Sequence, residues 1–222
     1  MKVHAVLNLY NDRTFLSAML ESVKDNVDTI IVADGAYELY YPKYKEYHPA
    51  AQPWSTDGSL EILRAMPGLP PVKMIECPDG KPWKNQCVKR TALVDAVPNG
   101  DWFIIIDADL MLVGDVATGM YEIMQSGYIV AGTPYYNPGL DMHYLREHWH
   151  PWIYMKTEGM HYLGTHWYLR DRFGRVIENC YPVLWTDRFV FVHFKAFKQL
   201  ERTVPHENYM ETLESKAWME PE

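Results

Sequence analysis

The sequence predicts an α/β fold, a mainly parallel sheet flanked by helices in one domain of Rossmann-like build. Three observations predict it. Strand-like and helix-like patterns alternate from Val3 to Asp107. The spacing of that alternation suits right-handed βαβ crossovers. The 222 residues can bury a full core without splitting into separate units.

Each element has its own signal. Val3–Leu9 is an apolar run of strand length, and Arg13–Lys24 carries Leu16, Met19, Leu20 and Val23 on one helical face. Thr29–Ala33 is a second strand that ends on Asp34-Gly35. A short helix is expected over Asp57–Met66, with Ser55, Thr56 and Asp57 as candidate N-caps and Pro67-Gly68 as its stop. Val72–Glu76 reads as the third strand. Asn85–Val97 reads as a helix with Val88, Ala92 and Ala96 inward, ended by Pro98-Asn99-Gly100. Trp102–Ile106 is the fourth strand and runs into Asp107-Ala108-Asp109. From Gly132 the alternation fades into an aromatic, histidine-rich stretch, and a last strand is expected over Phe189–Phe194.

Composition narrows the function. With 21 basic against 29 acidic side chains and a net charge of -8, the chain lacks the basic excess of a phosphate-tracking nucleic-acid binder. Cys77, Cys87 and Cys180 form neither a CxxC pair nor a metal spacing, so they read as reduced thiols. The apolar stretch after Lys2 is too short and too polar for a signal peptide, and no apolar run approaches the ~18 residues of a membrane span. A soluble, cytoplasmic protein is the expectation.

In a parallel sheet, ligands sit beyond the carboxyl ends of the strands. Asn8–Asp12, Asp34-Gly35 and Asp107–Asp109 stand at those ends and are expected to share one crevice. Asp107 and Asp109 are two positions apart, so strand periodicity points both carboxylates the same way. Paired carboxylates of that kind suit Mg2+ or Mn2+, with phosphate oxygens of a substrate completing the shell. Two acids at the end of a buried Trp-Phe-Ile-Ile-Ile strand are costly without a cation.

The segment Asn99-Gly100-Asp101-Trp102-Phe103-Ile104-Ile105-Ile106-Asp107-Ala108-Asp109 resembles the DxD segment of GT-A glycosyltransferases, in particular family 2. Lys84–Leu93 resembles that family's Q-x-x-R-N helix, with Thr91 where Asn is usual. Val6–Asp12 resembles its opening strand, Ile30–Gly35 its second strand, and Ser55-Thr56-Asp57-Gly58-Ser59 its S-T-D-G turn. The resemblance covers residues 3–115 well and the rest loosely. It implies one GT-A domain, with a nucleotide-sugar-binding half over 1–115 and an acceptor-binding half over 116–222.

The implied donor is a nucleotide-diphosphate sugar, UDP- or GDP-linked, held with Mn2+ or Mg2+. Around it the resemblance places Asn8, Tyr10, Asp34, Gly35, Gln86, Lys89, Arg90, Asp107 and Ala108. Asp34 is expected to read base or ribose, Lys89 and Arg90 to face the donor, Asp107 to touch ribose or sugar, and Asp109 to coordinate the metal. Relatives often supply a later histidine to the metal, and His193, ending an apolar strand, is expected in that role. His166, in Tyr162-Leu163-Gly164-Thr165-His166-Trp167, is expected against donor sugar or acceptor. No Glu-Asp dipeptide marks a general base. Glu158, Asp171, Glu178 and Asp187 are the candidates, and inversion or retention stays open.

The aromatics between Tyr135 and Trp167 are expected to stack on a carbohydrate acceptor, a nucleic-acid acceptor being the minority idea. The tyrosine-rich Tyr37–Tyr47 stretch, with Trp54, is expected to form a mobile flap over the donor. The alternative is a non-catalytic nucleotide-sugar- or carbohydrate-binding module of the same fold, which would bind donor without turnover.

Overall fold

The structure is a computed structural model and describes residues 1–138, 145–164 and 168–194, with side chains of the strand over 145–155 from 149 onward. In chain order the elements are β1 (Val3–Leu9), α1 (Arg13–Val23), β2 (Thr29–Asp34), α2 (Tyr40–Tyr47), α3 (Ser59–Ala65), β3 (Val72–Ile75), α4 (Gln86–Asp95), β4 (Trp102–Asp107) and β5 (Leu110–Gly114). They continue with α5 (Val116–Gln125), β6 (Val130–Pro138), β7 (Leu145–Met155), β8 (His161–Tyr162), β9 (Leu169–Arg170), α6 (Ile177–Cys180), β10 (Val183–Trp185) and β11 (Phe189–His193). His166 and residues 195–222 lie outside the described residues.

The main sheet runs β3-β2-β1-β4-β7-β6-β11-β5, with β10 branching from β6. Its first four strands are parallel, through β2–β3, β1–β2 and β1–β4. Beyond them the sheet is mixed: β7 is antiparallel to both β4 and β6, and β5 is antiparallel to β11. The expectation of a mainly parallel sheet is therefore corrected. It extrapolated the βαβ rhythm of the first half into a region where β6 and β7 form a long antiparallel pair. The sheet also passes across position 115, since β4 pairs β7 and β5 pairs β11.

Helices cover both faces. One core joins Leu16, Met19 and Leu20 of α1, Leu63 of α3, and Met120 and Ile123 of α5 to the sheet. The other joins Tyr40 and Tyr44 of α2, Leu93 and Val94 of α4, and Ile177 of α6. The periodicity of α1 is obeyed, with Leu16, Met19, Leu20 and Val23 buried. That of α4 is not. Its buried residues are Gln86, Lys89, Arg90, Leu93 and Val94, while Val88 is 41% exposed. The helix is rotated from the apolar reading because two cations on it have buried tasks.

Two further expectations change. Helix α3 starts at Gly58 in the left-handed region (φ 95) without a side-chain cap, while Asp57 accepts the Ser59 N–H at 3.0 Å from one position earlier. The tyrosine-rich stretch is packed in part: Tyr40 and Tyr44 of α2 are buried, with ring centroids 6.1 and 5.3 Å from that of Tyr10, while Tyr47 and Trp54 are exposed.

Candidate functional site

The parallel register brings the expected residues to one end of the sheet. Asn8 pairs with Ala33 on β2 and with Asp107 on β4, and Leu9 pairs with Asp34. Backbone turns after β1 and β2 are then tied together. The Asn11 and Asp12 amides donate to the hydroxyls of Ser55 and Ser59, at 2.8 and 3.2 Å, and the Asn11 side-chain oxygen accepts from Thr56 N at 2.8 Å. Asn11 holds a left-handed backbone (φ 46) to do so, a conformation that asparagine tolerates better than most residues.

Asp34 serves this tie. Its Oδ2 accepts from the Ser55 amide at 2.9 Å and its Oδ1 from the Ser55 hydroxyl, and the residue is 4% exposed. Burial pushes its carboxyl pKa up, against the lowering pull of the Ser55 bonds and Lys89. The structure thus gives Asp34 a task inside the S-T-D-G turn. Gly35 follows with φ 119, and a Cβ there would lie 2.0 Å from the Cys77 sulfur. Tyr10 is also buried and donates through its hydroxyl to the Gln52 carbonyl at 2.8 Å.

Lys89 is wholly buried. Its ammonium donates to the carbonyls of Leu9 and Gly35, at 2.7 and 2.5 Å, and sits 5.2 Å from the centre of the Tyr37 ring. It therefore clamps the ends of β1 and β2 instead of facing the crevice. One position on, Arg90 turns to β4 and donates to Asp107 Oδ1 at 3.1 Å. Burial opposes the guanidinium charge, but the Asp107 carboxylate together with Tyr162 and Tyr37 outweighs burial, so the Arg90 pKa is raised. Asn8 donates to the Tyr37 hydroxyl at 2.8 Å, and burial pushes that hydroxyl's pKa up to about 12. Arg90 Nε and Gln86 Oε1 are buried atoms with no hydrogen-bond partner among the described residues. Both residues are more than nine-tenths buried.

Asp107 closes β4 and Asp109 lies in the turn after it. Residues 108–109 form a turn, so the two-residue period of β4 ends before Asp109. Asp109 instead faces His193, whose Nε2 is 3.1 Å from its Oδ2; Asp109 is wholly buried. The meeting is fixed by backbone, since His193 pairs with Leu110 and Phe194 N donates to the Asp109 carbonyl at 2.9 Å. The other ring nitrogen, Nδ1, touches the Tyr135 hydroxyl and lies 3.0 Å from Asn137 Oδ1. Burial, then the negative Asp107 and Asp109, raise the Tyr135 pKa.

Two partners at Nδ1 allow two tautomers. With Tyr135 donating to Nδ1, Nε2 carries the proton and stands 3.1 Å from Asp109 Oδ2, a contact that lacks hydrogen-bond geometry. With Nδ1–H donated to Asn137, Nε2 offers a lone pair. The second form is that of a metal-ligating imidazole whose other nitrogen is held by an acceptor. Adjacent ligand atoms on an octahedron with bonds of 2.0–2.1 Å are about 3 Å apart, which the 3.1 Å separation matches. Asp109 and His193 therefore fit a divalent cation as neighbouring ligands, while Asp107 is engaged by Arg90. Among the described residues no group of three or more His, Cys, Asp or Glu side chains is arranged to hold a metal. Mg2+ commonly takes only one or two carboxylates and completes its shell with phosphate and water.

The proposed general bases are not gathered here. Glu158 is exposed in the turn after β7, whose Met155 pairs with Trp102 at the start of β4, the opposite end of the sheet. Asp187 is exposed just before β11, again at the end away from His193. Asp171 is held by Arg175 at 2.7 Å. Glu178 accepts from the Tyr154 hydroxyl at 2.7 Å beneath the sheet. Asn137 is a site residue that the sequence does not single out, and Tyr135, Ser55 and Tyr37 take contacts here other than the stacking, capping and flap roles expected of them. Their roles depend on the register of β6 with β11 and on the loop after β2.

Comparison with known proteins adds little. No family model and no curated protein matches the chain. Among solved structures, mannose-6-phosphate isomerase from Helicobacter pylori is similar over 71% of this chain and 62% of that chain, at 12% identity and a TM-score of 0.37. This chain thus spans less than two thirds of that protein's length, and a likeness so slight carries no argument. No helix among the described residues is long and apolar enough to cross a membrane.

Proposed function

We propose that the chain is a metal-dependent glycosyltransferase of the GT-A kind, moving a sugar from a UDP- or GDP-sugar to a hydroxyl of a carbohydrate acceptor. The observation that carries this reading is the approach of His193 Nε2 to within 3.1 Å of Asp109 Oδ2, beyond the end of β4. The motif resemblance implies the same pairing independently. Asp109 and His193 would hold Mn2+ or Mg2+, and Tyr135 and Asn137 would orient the imidazole. When bound, the cation supplies a Lewis acid for the negative charge of a departing diphosphate.

The chain's own residues have separate tasks in this reading. Asp107, held by Arg90, presents a carboxylate to ribose or sugar hydroxyls. Gln86 Oε1 accepts from, and Arg90 Nε donates to, a polar ligand in the crevice, which gives these buried atoms the partners that burial calls for. Lys89 and Asp34 act through the backbone they fix, not through contact with the donor. Glu158 and Asp187 take no part in deprotonating the acceptor.

A thermal-shift panel of UDP- and GDP-sugars, with and without Mn2+, tests the reading. A rise in melting temperature that needs both nucleotide and metal is expected, together with slow metal-dependent hydrolysis of the stabilising sugar nucleotide. If neither a nucleotide sugar nor a nucleoside diphosphate stabilises the protein, the reading fails.

A further inference from the structure

The turn between β9 and α6 is built around one buried carboxylate. Asp171 accepts from the amides of Phe173 and Arg175 at 2.9 and 3.0 Å, and from the Arg175 guanidinium at 2.9 and 2.7 Å. Its own amide donates to the Arg175 carbonyl at 2.9 Å, which closes the loop. Gly174 supplies the left-handed residue of the turn (φ 77), and a Cβ there would meet nothing within 4 Å. The loop is a braced tip that stands clear of its surroundings.

What the tip carries is Phe173, 67% exposed. The guanidiniums of Arg172 and Arg175 lie 4.7 and 5.2 Å from the centre of its ring. Arg175 is shared with Asp171, whereas Arg172, stacked on the ring, keeps its N–H edge for an anion, a phosphate above all. A third guanidinium, that of Arg170, donates to the carbonyls of Gly174 and Leu163 at 2.7 and 3.3 Å. It draws Leu163, 38% exposed at the end of β8, against the tip. The neighbouring carboxylates are Asp171 and Glu158, the latter one residue before Gly159, which packs on Arg172. Three guanidiniums against two carboxylates leave this patch positive on a chain of net charge -8.

That combination selects its partner. A protruding tip offers no groove to track a nucleic-acid strand, and a leucine is no stacking platform for bases. A phenylalanine beside guanidiniums suits the boundary of a bilayer, where the ring enters the acyl region and the cations meet lipid phosphates. We infer that this loop docks the protein on an anionic lipid surface, with Phe173 and Leu163 inserted and Arg172 on phosphate. The braced loop loses little freedom on docking. The acidic remainder of the chain is repelled by such a surface, so the contact is confined to the tip. The Tyr162 amide of β8 donates to the Thr91 hydroxyl at 2.9 Å, so docking turns the α4 side of the sheet toward the lipid. The inference does not rest on the glycosyltransferase reading.

The test is co-sedimentation of the full chain with vesicles of phosphatidylcholine, alone or mixed equally with phosphatidylglycerol, at low salt. Binding is expected with the anionic vesicles only, and added salt is expected to weaken it. Phe173→Ser is expected to lower the partition coefficient about tenfold, and Arg172→Gln about fivefold. Both side chains are exposed, so the melting temperature is expected to stay unchanged. Trp54→Ser, exposed elsewhere on the surface, is expected to bind as the natural sequence does. No binding to anionic vesicles, equal binding to neutral ones, or unchanged binding of both tip variants overturns the inference. So does tip-dependent binding of an oligothymidylate without vesicle binding, which would make the patch a nucleic-acid contact. None of these outcomes involves a nucleotide sugar or Mn2+, so the docking tip and the donor site fail separately.

Discussion

His193 Nε2 lies 3.1 Å from Asp109 Oδ2, and the opposite nitrogen of the same ring lies 3.0 Å from Asn137 Oδ1. One imidazole thus joins the turn after β4 to the end of β6. If this ring is a metal ligand, its binding strength depends on all three groups. Asp109→Asn is expected to abolish Mn2+ binding measured by calorimetry. Asn137→Ala is expected to weaken it about ten- to a hundredfold, the usual effect of losing the partner of a ligating histidine. Unchanged Mn2+ affinity in both variants would remove the metal assignment.

Lys89 gives a stability prediction. Replacing it with methionine keeps the stem's packing but leaves the Leu9 and Gly35 carbonyls without their donor. A loss of about 3 kcal/mol is expected in denaturant unfolding, given roughly 1–3 kcal/mol for each buried acceptor left unsatisfied. A loss below about 1 kcal/mol would mean that the strand ends do not need the clamp.

Glu178 makes stability depend on pH. Burial raises its folded pKa above its ordinary value of 4.5, while the bond from Tyr154 pulls the other way. The folded state therefore holds the proton to higher pH than the unfolded chain does. Stability falls as pH rises from the unfolded value through the raised one, then levels off. Glu178→Gln keeps an acceptor for Tyr154 and removes the charge. Its melting temperature is expected to exceed that of the natural sequence at neutral pH, with the advantage gone well below pH 4.5. A difference constant across that range would refute the assignment.

Gly132→Ala tests the packing under Trp185. The new methyl meets an indole that can shift and a carbonyl oxygen that cannot, at 2.2 and 2.7 Å. Overpacking of this sort costs about 1–3 kcal/mol, read as a lowered denaturation midpoint. A neutral outcome would show that the β6–β10 edge is looser than its geometry.

The first four strands and the helices α1, α3 and α4 between them are legible because each carries its own period or its own stop signal, whereas α2 has neither. Asn85 shows how local such signals are: its side chain accepts the Val88 N–H at 2.9 Å, as an N-cap should. What fails is anything that depends on a distant partner. Val88 reads as inward until Lys89 and Arg90 are seen to bind β1, β2 and β4, which turns the helix. The Asp-Ala-Asp spacing reads as one continued strand period, whereas residues 108–109 form a turn and Asp109 meets His193, a distant partner. β6 and β7 hide because their aromatics alternate against each other across an antiparallel register that no local pattern encodes. His193 is the exception, anticipated because a strand-terminal histidine and a motif resemblance point to the same place.

The ladder between β4 and β7 runs from Trp102–Met155 to Ile104–Ile153, after which β7 follows β6. Ile105–Asp107 keep β1 as their neighbour on the other side. The sheet therefore has a slit at the end where the site lies. Asp107 stands on its inner lip, and Asp109, leading into β5 beside β11, stands on its outer lip. A ligand that touches both carboxylates would therefore bridge the β1–β4 part of the sheet and the β5–β11 part, whose pairings diverge at this end.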